Sequence, residues 1–442
     1  MNLNRFILRI TLGAVLAPGS VWAAQSDAQF EEDLYRQIVQ DVSRGHSIAR
    51  SESVQRKDFC SEEGLRCLSP IDITIQALDA MADSKNPSVL SSVRRATLEL
   101  RTQVQEAGED LHLYTVYRQI ESTPNTDWEK SLIAQLNEQI QTGGLSPKSF
   151  YTLTAYEKYF STPNWNAIRL WVNTHKSSYE GITAPATSLT ENPQLLKDLL
   201  HTTPQLDKYA KGRYKNSPRI YMLCRDKRKY PCLMVIKKSN GEFLTENNSS
   251  ALWTQPALGY SWRLKKYNQT NGNTPSGVLR VDGVMPEADQ TSIFGKYRRL
   301  ILNFVAPSED ETNHKYLLPA SSHTATWWRE AVAARDIGRG LFRIHGSGLM
   351  SSPFSTYHPF VATSGCVAKR ENTYSGITYQ DQRLILDALM QAADLEPTYE
   401  NESKIRALLY IINIDDRKGP VRLEDLKRLD LLSPVTRGHL PN

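Results

Sequence analysis

RIYMLCRDKRKYPCLMVIKKSNGEFL, residues 219–244, is where the chain changes texture. Upstream, apolar residues recur at three- and four-residue intervals. Here they run in strand lengths, with a polar turn between two runs and Ser, Asn and Gly after the second. The pattern predicts an α+β protein in which an N-terminal all-helical region is followed by a β-rich domain. YSWRLKKYN, GVLRVDGV, RRLILNFVA, GLFRIHG and IRALLYIINI carry the strand pattern toward the C-terminus, and QDQRLILDALMQAADL supplies a helix among them. Before the switch, FEEDLYRQIVQDVSRG, IDITIQALDAMAD, SVLSSVRRATLELRTQVQEAG, WEKSLIAQLNEQIQTGG and PQLLKDLLHTT all read as amphipathic helices. The polar stretch KYAKGRYKNSP, 208–218, reads as a linker. The expected organisation is therefore a helical domain over 24–212, a β-rich domain over 216–416 and a helical tail over 417–442.

The whole chain has 442 residues, 40% hydrophobic and 23% charged, which excludes a disordered tail or a collagen-like fibre and leaves room for two or three domains. Its 53 Lys and Arg stand among 48 Asp and Glu with no concentrated basic stripe, so nucleic acid is not an expected partner. At the N-terminus, Arg5 and Arg9 precede a short apolar run broken by Pro18 and Gly19, and Val21 and Ala23 stand three and one residues before an expected cut. Residues 1–23 thus read as a cleaved export signal, with an uncleaved anchor as the alternative. No Cys follows the cut, so no lipid anchor and no transmembrane anchor are expected afterwards. The mature protein is expected to be periplasmic.

Five cysteines remain: Cys60, Cys67, Cys224, Cys232 and Cys366. In an oxidising compartment the spacing suggests Cys60 with Cys67 around the loop SEEGLR, and Cys224 with Cys232 clamping a hairpin. Four buried thiols are the alternative. Either way Cys366 is left over, and an exported thiol is a liability unless it is buried or used.

Cys366 lies in FRIHGSGLMSSPFSTYHPFVATSGCVAKREN, 342–372, with His345 and His358 upstream. A cysteine nucleophile needs a base for its proton and N–H donors for the oxyanion that forms on attack at a carbonyl. His345, closing a strand-like run before Gly346, suits delivery of an imidazole from a rigid strand end. Gly365 lets backbone approach a substrate closely. Two other readings stand beside this one: Cys366 as a buried small hydrophobe with His345 a core histidine, and a zinc site from Cys366, His345 and His358. His314 and His323 lie in a polar stretch that could act as a lid. For Trp327 and Trp328, core packing is preferred over sugar stacking.

These residues resemble the L,D-transpeptidase catalytic domain (YkuD-like). His345–Gly346 followed by TSGCV at 363–367 is similar to that family's His-Gly, gap, Ser or Thr, His, Gly, Cys signature, and NTPSGVLRV at 273–281 resembles its Thr-Pro-x-Gly strand entry. The resemblance covers roughly 216–416 and leaves the helical half uncovered. It implies Cys366 as thiol nucleophile, His345 as general base, and Gly365 with the Cys366 amide near the oxyanion site. Thr363 stands at the family's Ser or Thr. Ser364 replaces the family's His, and Ala368 its Arg, so that only Lys369 or Arg370 offers a cation nearby. Gly346 belongs to the same substrate-facing set.

The implied activity is acyl transfer on peptidoglycan stem peptides through a thioester, with no cofactor and no metal. Arg343, Lys369 and Arg370 are candidates to orient an acidic stem, or surface charges. The implied partners are stem peptides and a wall-associated protein. Two alternatives remain: a peptidoglycan hydrolase on the same scaffold (L,D-carboxypeptidase, endopeptidase or murein-lipoprotein amidase), and a noncatalytic murein-binding scaffold.

Overall fold

The computed structural model describes residues 70–432 apart from 180–192, 203, 247–248, 289–290, 306–313, 315 and 324. The expected export signal, the helix at 30–45 and the Cys60–Cys67 pair lie outside the described residues. Helices and a large mixed sheet make the protein α+β, and the chain divides into two compact units.

In the helical unit, α1 (Pro70–Met81), α2 (Pro87–Arg101), α3 (Ala107–Ile120), α4 (Thr126–Thr142), α5 (Pro147–Ala155) and α6 (Asn166–Thr174) follow one another. Local chemistry sets their ends. The Asn86 side chain accepts from Ser88 N at 3.0 Å and Asn125 from Trp128 N at 3.1 Å, each supplying an acceptor that a helix start lacks. Pro87 and Pro147 enter at the first turn, where a missing N–H costs nothing, and Gly143 closes α4. On α2 the buried set Val89, Val93, Ala96 and Leu100 makes one stripe at helical spacing. The stripes meet around Tyr114, Trp128, Phe160 and Trp165, with the Tyr114 and Trp128 rings 5.3 Å apart edge to face. Buried carboxylates take the polar ends of these rings: Trp128 Nε1 donates to Asp110 at 2.9 Å and Trp165 Nε1 to Glu129. A cavity of about 210 Å³ in this unit is lined by residues including Leu153, Glu157, Ile168, Arg169 and Lys176.

The β-rich unit is built on one eight-stranded sheet. Its strands are β1 (Arg219–Arg225), β2 (Cys232–Lys237), β3 (Thr254–Ala257), β4 (Gly277–Val284), β5 (Leu300–Phe304), β6 (Arg343–His345), β7 (Val367–Ala368) and β10 (Ala407–Asp415), in the order β3-β2-β1-β10-β4-β5-β6-β7. A small hairpin, β8 (Thr373–Tyr374) with β9 (Ile377–Thr378), stands apart from it. The central pair, β1 with β10, is parallel, and its apolar runs are continuous because both faces are covered. Ile220, Met222, Leu409 and Ile411 face a helix at Asp381–Ala392 through Ile385 and Leu389. Their neighbours Tyr221, Leu223, Tyr410 and Ile412 face a helix at Pro193–His201 through Leu196 and Leu199, together with Trp327 and Trp328. Both tryptophans are thus core residues. The Cys224–Cys232 disulfide joins the end of β1 to the start of β2, as the spacing suggested. Beyond β3, Leu258 bridges to Ala368 in β7, so the two ends of the sheet meet.

The observed division departs from the expected domains in three ways. Among the described residues the helical unit runs to 179 and the β-rich unit begins by 193, ahead of the 208–218 stretch, because the apolar stripe of residues 193–201 covers the sheet. YSWRLKKYN is not a strand: Leu264 has φ +57° and is three-quarters exposed, and residues 266–271, like 333–340, join the helical unit. The segment expected as a separate tail packs into the β-rich unit through Val421, Leu426 and Leu431.

Candidate active site

β6 and β7 run side by side in parallel, Ile344 opposite Val367 and His345 opposite Ala368, with Lys369 N donating to the His345 carbonyl at 2.8 Å. Cys366 immediately precedes β7. His345 and Ala368, as a registered pair, share one face of the sheet, and Cys366 stands in the turn two residues before Ala368. The parallel pairing of β6 with β7 therefore brings the segments that carry the thiol and the imidazole side by side, a juxtaposition their separation in sequence does not determine.

The turn that presents Cys366 is tied down by hydroxyls. Thr363 Oγ1 donates to the Cys366 carbonyl at 2.6 Å and accepts from Gly365 N at 3.3 Å, while Thr274 Oγ1 donates to the Gly365 carbonyl at 2.9 Å. Gly365 has φ +112°, a conformation that a Cβ would oppose. Its N–H is engaged within the turn, so its evident role is to shape the backbone before the thiol. Thr274, which opens the TPSG sequence, thus touches the cysteine turn directly. Ser364 Oγ accepts from Trp262 Nε1 at 3.0 Å. The Cys366 thiol is half-buried, with Sγ 3.9 Å from the carbonyl of Leu341, itself left-handed at φ +61°.

His345 is buried, and its Nδ1 lies 2.6 Å from the Gly346 carbonyl. A carbonyl can only accept, so Nδ1 carries the hydrogen and Nε2 keeps its lone pair. Burial depresses the ring's pKa to about 4, with the cations of Arg299 and Arg343 acting in the same direction and the Gly346 carbonyl opposing them. The imidazole is therefore neutral near pH 7, the state a general base requires. Phe294 meets it edge to face, ring centroids 5.7 Å apart.

The cationic candidates sit differently. Lys369 is 1% exposed, its Nζ donating to the Pro256 carbonyl at 2.7 Å, and burial lowers its pKa to about 7. Arg370 forks onto Asp381 at 2.6 and 3.2 Å and stacks 4.3 Å from the Tyr379 ring centre. Arg343 is buried, with Nη1 donating to the Phe342 carbonyl at 2.6 Å. Lys369 and Arg343 are buried, Arg370 is partly exposed, and each spends contacts inside the fold. His358 bonds Ser351 Oγ at 2.9 Å and meets Tyr374 edge-on. His314 is buried and stacks on Trp328 at 4.3 Å. Among the described residues, no group of three or more His, Cys, Asp or Glu is arranged to hold a metal ion, and no helix is long and apolar enough to cross a membrane.

Sequence reasoning missed Glu371. This carboxyl is 9% exposed and lies against both Gly346 and Gly295. Its only sequence signal is adjacency to the cysteine segment, shared by many residues that do nothing. Comparison of the chain with protein-family models, with curated proteins and with solved structures finds no match.

Proposed function

We propose that the protein is a periplasmic cysteine-dependent acyl transferase of L,D-transpeptidase type, acting on peptidoglycan stem peptides. One observation supports the reading: the parallel pairing of β6 with β7, which brings the strand ending in a neutral, tautomer-defined imidazole beside the segment that carries a half-buried thiol. The resemblance of the His345–Gly346, TSGCV and TPSG segments to the YkuD-like domain supplies the substrate class, and the export signal read in the sequence agrees with it.

In this reading His345 Nε2 removes the Cys366 proton as the sulfur attacks the carbonyl at the L-centre of diaminopimelate. The tetrahedral intermediate collapses with cleavage of the C–N bond. Imidazolium returns the proton to the departing D-Ala amine, leaving a thioester on Cys366. An acceptor amine, proton removed by the same imidazole, converts the thioester to a crosslink or to an attached protein. Water in its place gives a carboxylate and makes the enzyme a hydrolase. The hydrolytic outcome is favoured by one local feature: Ala368, at the family's Arg, is 2% exposed and hydrogen-bonded to Leu258 on the side away from β6, so no cation projects from that position to fix an acceptor.

Intact-mass analysis after incubation with tetrapeptide stems tests the proposal. The expected result is an acyl adduct on wild-type protein, absent from Cys366→Ala and reduced at least tenfold in His345→Ala, since general-base catalysis contributes about 10²–10⁴-fold. Shortened stems without dimers assign the hydrolase. Absence of any adduct or product, with binding to murein sacculi that survives Cys366→Ala, refutes both.

A further inference from the structure

Glu371 follows the cysteine strand and turns its side chain inward. Its Oε1 accepts from two consecutive backbone donors, Lys296 N at 2.5 Å and Tyr297 N at 3.2 Å, while Oε2 is buried with no hydrogen-bond partner. Two glycines make room for it. A Cβ added to Gly346 would fall on Oε2 and 2.6 Å from Cδ, and one added to Gly295 would also meet Oε2. The carboxyl therefore occupies the space where side chains at positions 295 and 346 would be, and it links the loop Gly295–Tyr297 to the residue following the proposed base.

We propose that Glu371 is a positioning residue for His345: its carboxyl holds the 295–297 and 346 backbones together, so that the Gly346 carbonyl keeps the His345 hydrogen on Nδ1 and leaves Nε2 open. This deepens the acyl-transfer reading and rests on it for its catalytic meaning. The geometry also sets which oxygen carries the acid proton. Oε1 has both N–H donors, so a proton on Oε2 leaves no bare charge against Gly346. Burial raises the pKa of this carboxyl to about 7, against the pull of the Lys296 and Tyr297 N–H groups and the Lys296 ammonium. Lys296, whose Nζ sits 5.0 Å from the Tyr297 ring centre, is the cation on the facing loop. On the Gly346 side the adjoining titratable group is His345, neutral near pH 7. On Glu371's own segment, Arg370 is committed to Asp381. Ionisation of Glu371 would place an unsolvated anion against the Gly346 peptide and push its carbonyl away from Nδ1.

The test is ¹⁵N NMR of the His345 ring in the full chain between pH 6 and 9. In wild type the Nδ1–H tautomer dominates at pH 6 and its excess falls about fivefold by pH 9, the equivalent of one ordinary hydrogen bond. Glu371→Gln, which keeps an acceptor toward Lys296 and a neutral donor in place of Oε2, retains the excess throughout. Glu371→Ala loses it at every pH. Should Glu371→Ala fail to fold, the contrast between wild type and Glu371→Gln still decides. A wild-type tautomer that does not change with pH, or a Glu371→Gln profile that follows wild type, overturns the proposal. The acyl-transfer reading fails separately: His345→Ala leaving the rate of Cys366 alkylation by iodoacetamide unchanged sinks it, whatever the tautomer does.

Discussion

Replacing Gly346 by alanine puts a methyl group where the Glu371 carboxyl already sits. Gly346 lies outside the left-handed region, so an L-residue meets no backbone penalty there and the clash alone is read. To admit the methyl, the carboxylate must rotate out, forfeiting its bonds from Lys296 N and Tyr297 N at about 1 kcal/mol each. Residual overpacking brings the expected cost to about 2–4 kcal/mol. In a Glu371→Ala background the obstruction is gone, and the same substitution should cost less than ~1 kcal/mol. The double-mutant cycle therefore predicts a coupling energy of about 2 kcal/mol between positions 346 and 371. Urea unfolding followed by tryptophan fluorescence measures all four corners. Costs for Gly346→Ala that agree within ~0.5 kcal/mol in the two backgrounds, the usual limit of additivity, would refute the packing argument and remove the physical link between Glu371 and the base.

Two further outcomes follow from the same structure. Glu371, whose pKa rises from 4.5 to about 7 on folding, contributes stability that is complete below its unfolded value and is lost as pH climbs through about 7; His345, depressed from 6.5 to about 4, contributes stability that is present above 6.5 and is lost as pH falls through 4. Glu371→Gln should therefore gain on wild type by ~2 kcal/mol between pH 5 and pH 8.5 in urea midpoints, and a gain that does not depend on pH would contradict the assignment. Replacing both Cys224 and Cys232 by serine reopens the short loop between β1 and β2, with an expected loss of about 2.5 kcal/mol in the same assay; an unchanged midpoint would mean that the flanking β1–β2 ladder alone holds the hairpin.

Much of the architecture was legible in the chain because its signals are local. The three- and four-residue apolar periodicity of the helices and the continuous runs of β1, β2 and β10 each act within a few residues. The failures share a cause. YSWRLKKYN has strand composition, but Leu264 takes a left-handed turn there, with Leu264 N bonded to the Ser261 carbonyl at 3.1 Å. The stripe of residues 193–201 is helical as expected, yet periodicity does not say which core a stripe will join. Lys369 and Arg370 read as stem-orienting or surface cations because charge is visible in a sequence, whereas the Pro256 carbonyl and the Asp381 carboxylate that take them up are not.

By itself the sequence determined the two textures of the protein, suggested the Cys224–Cys232 pairing and nominated Cys366 with His345. These follow from residue type and short-range spacing. Tertiary structure decided that β6 and β7 are parallel neighbours, that Thr274 ties the cysteine turn, and that a carboxyl from position 371 fills the space beside Gly295 and Gly346. Such contacts are chosen by how distant segments pack, and a buried carboxyl finds its place only once burial has removed the water that would otherwise solvate it.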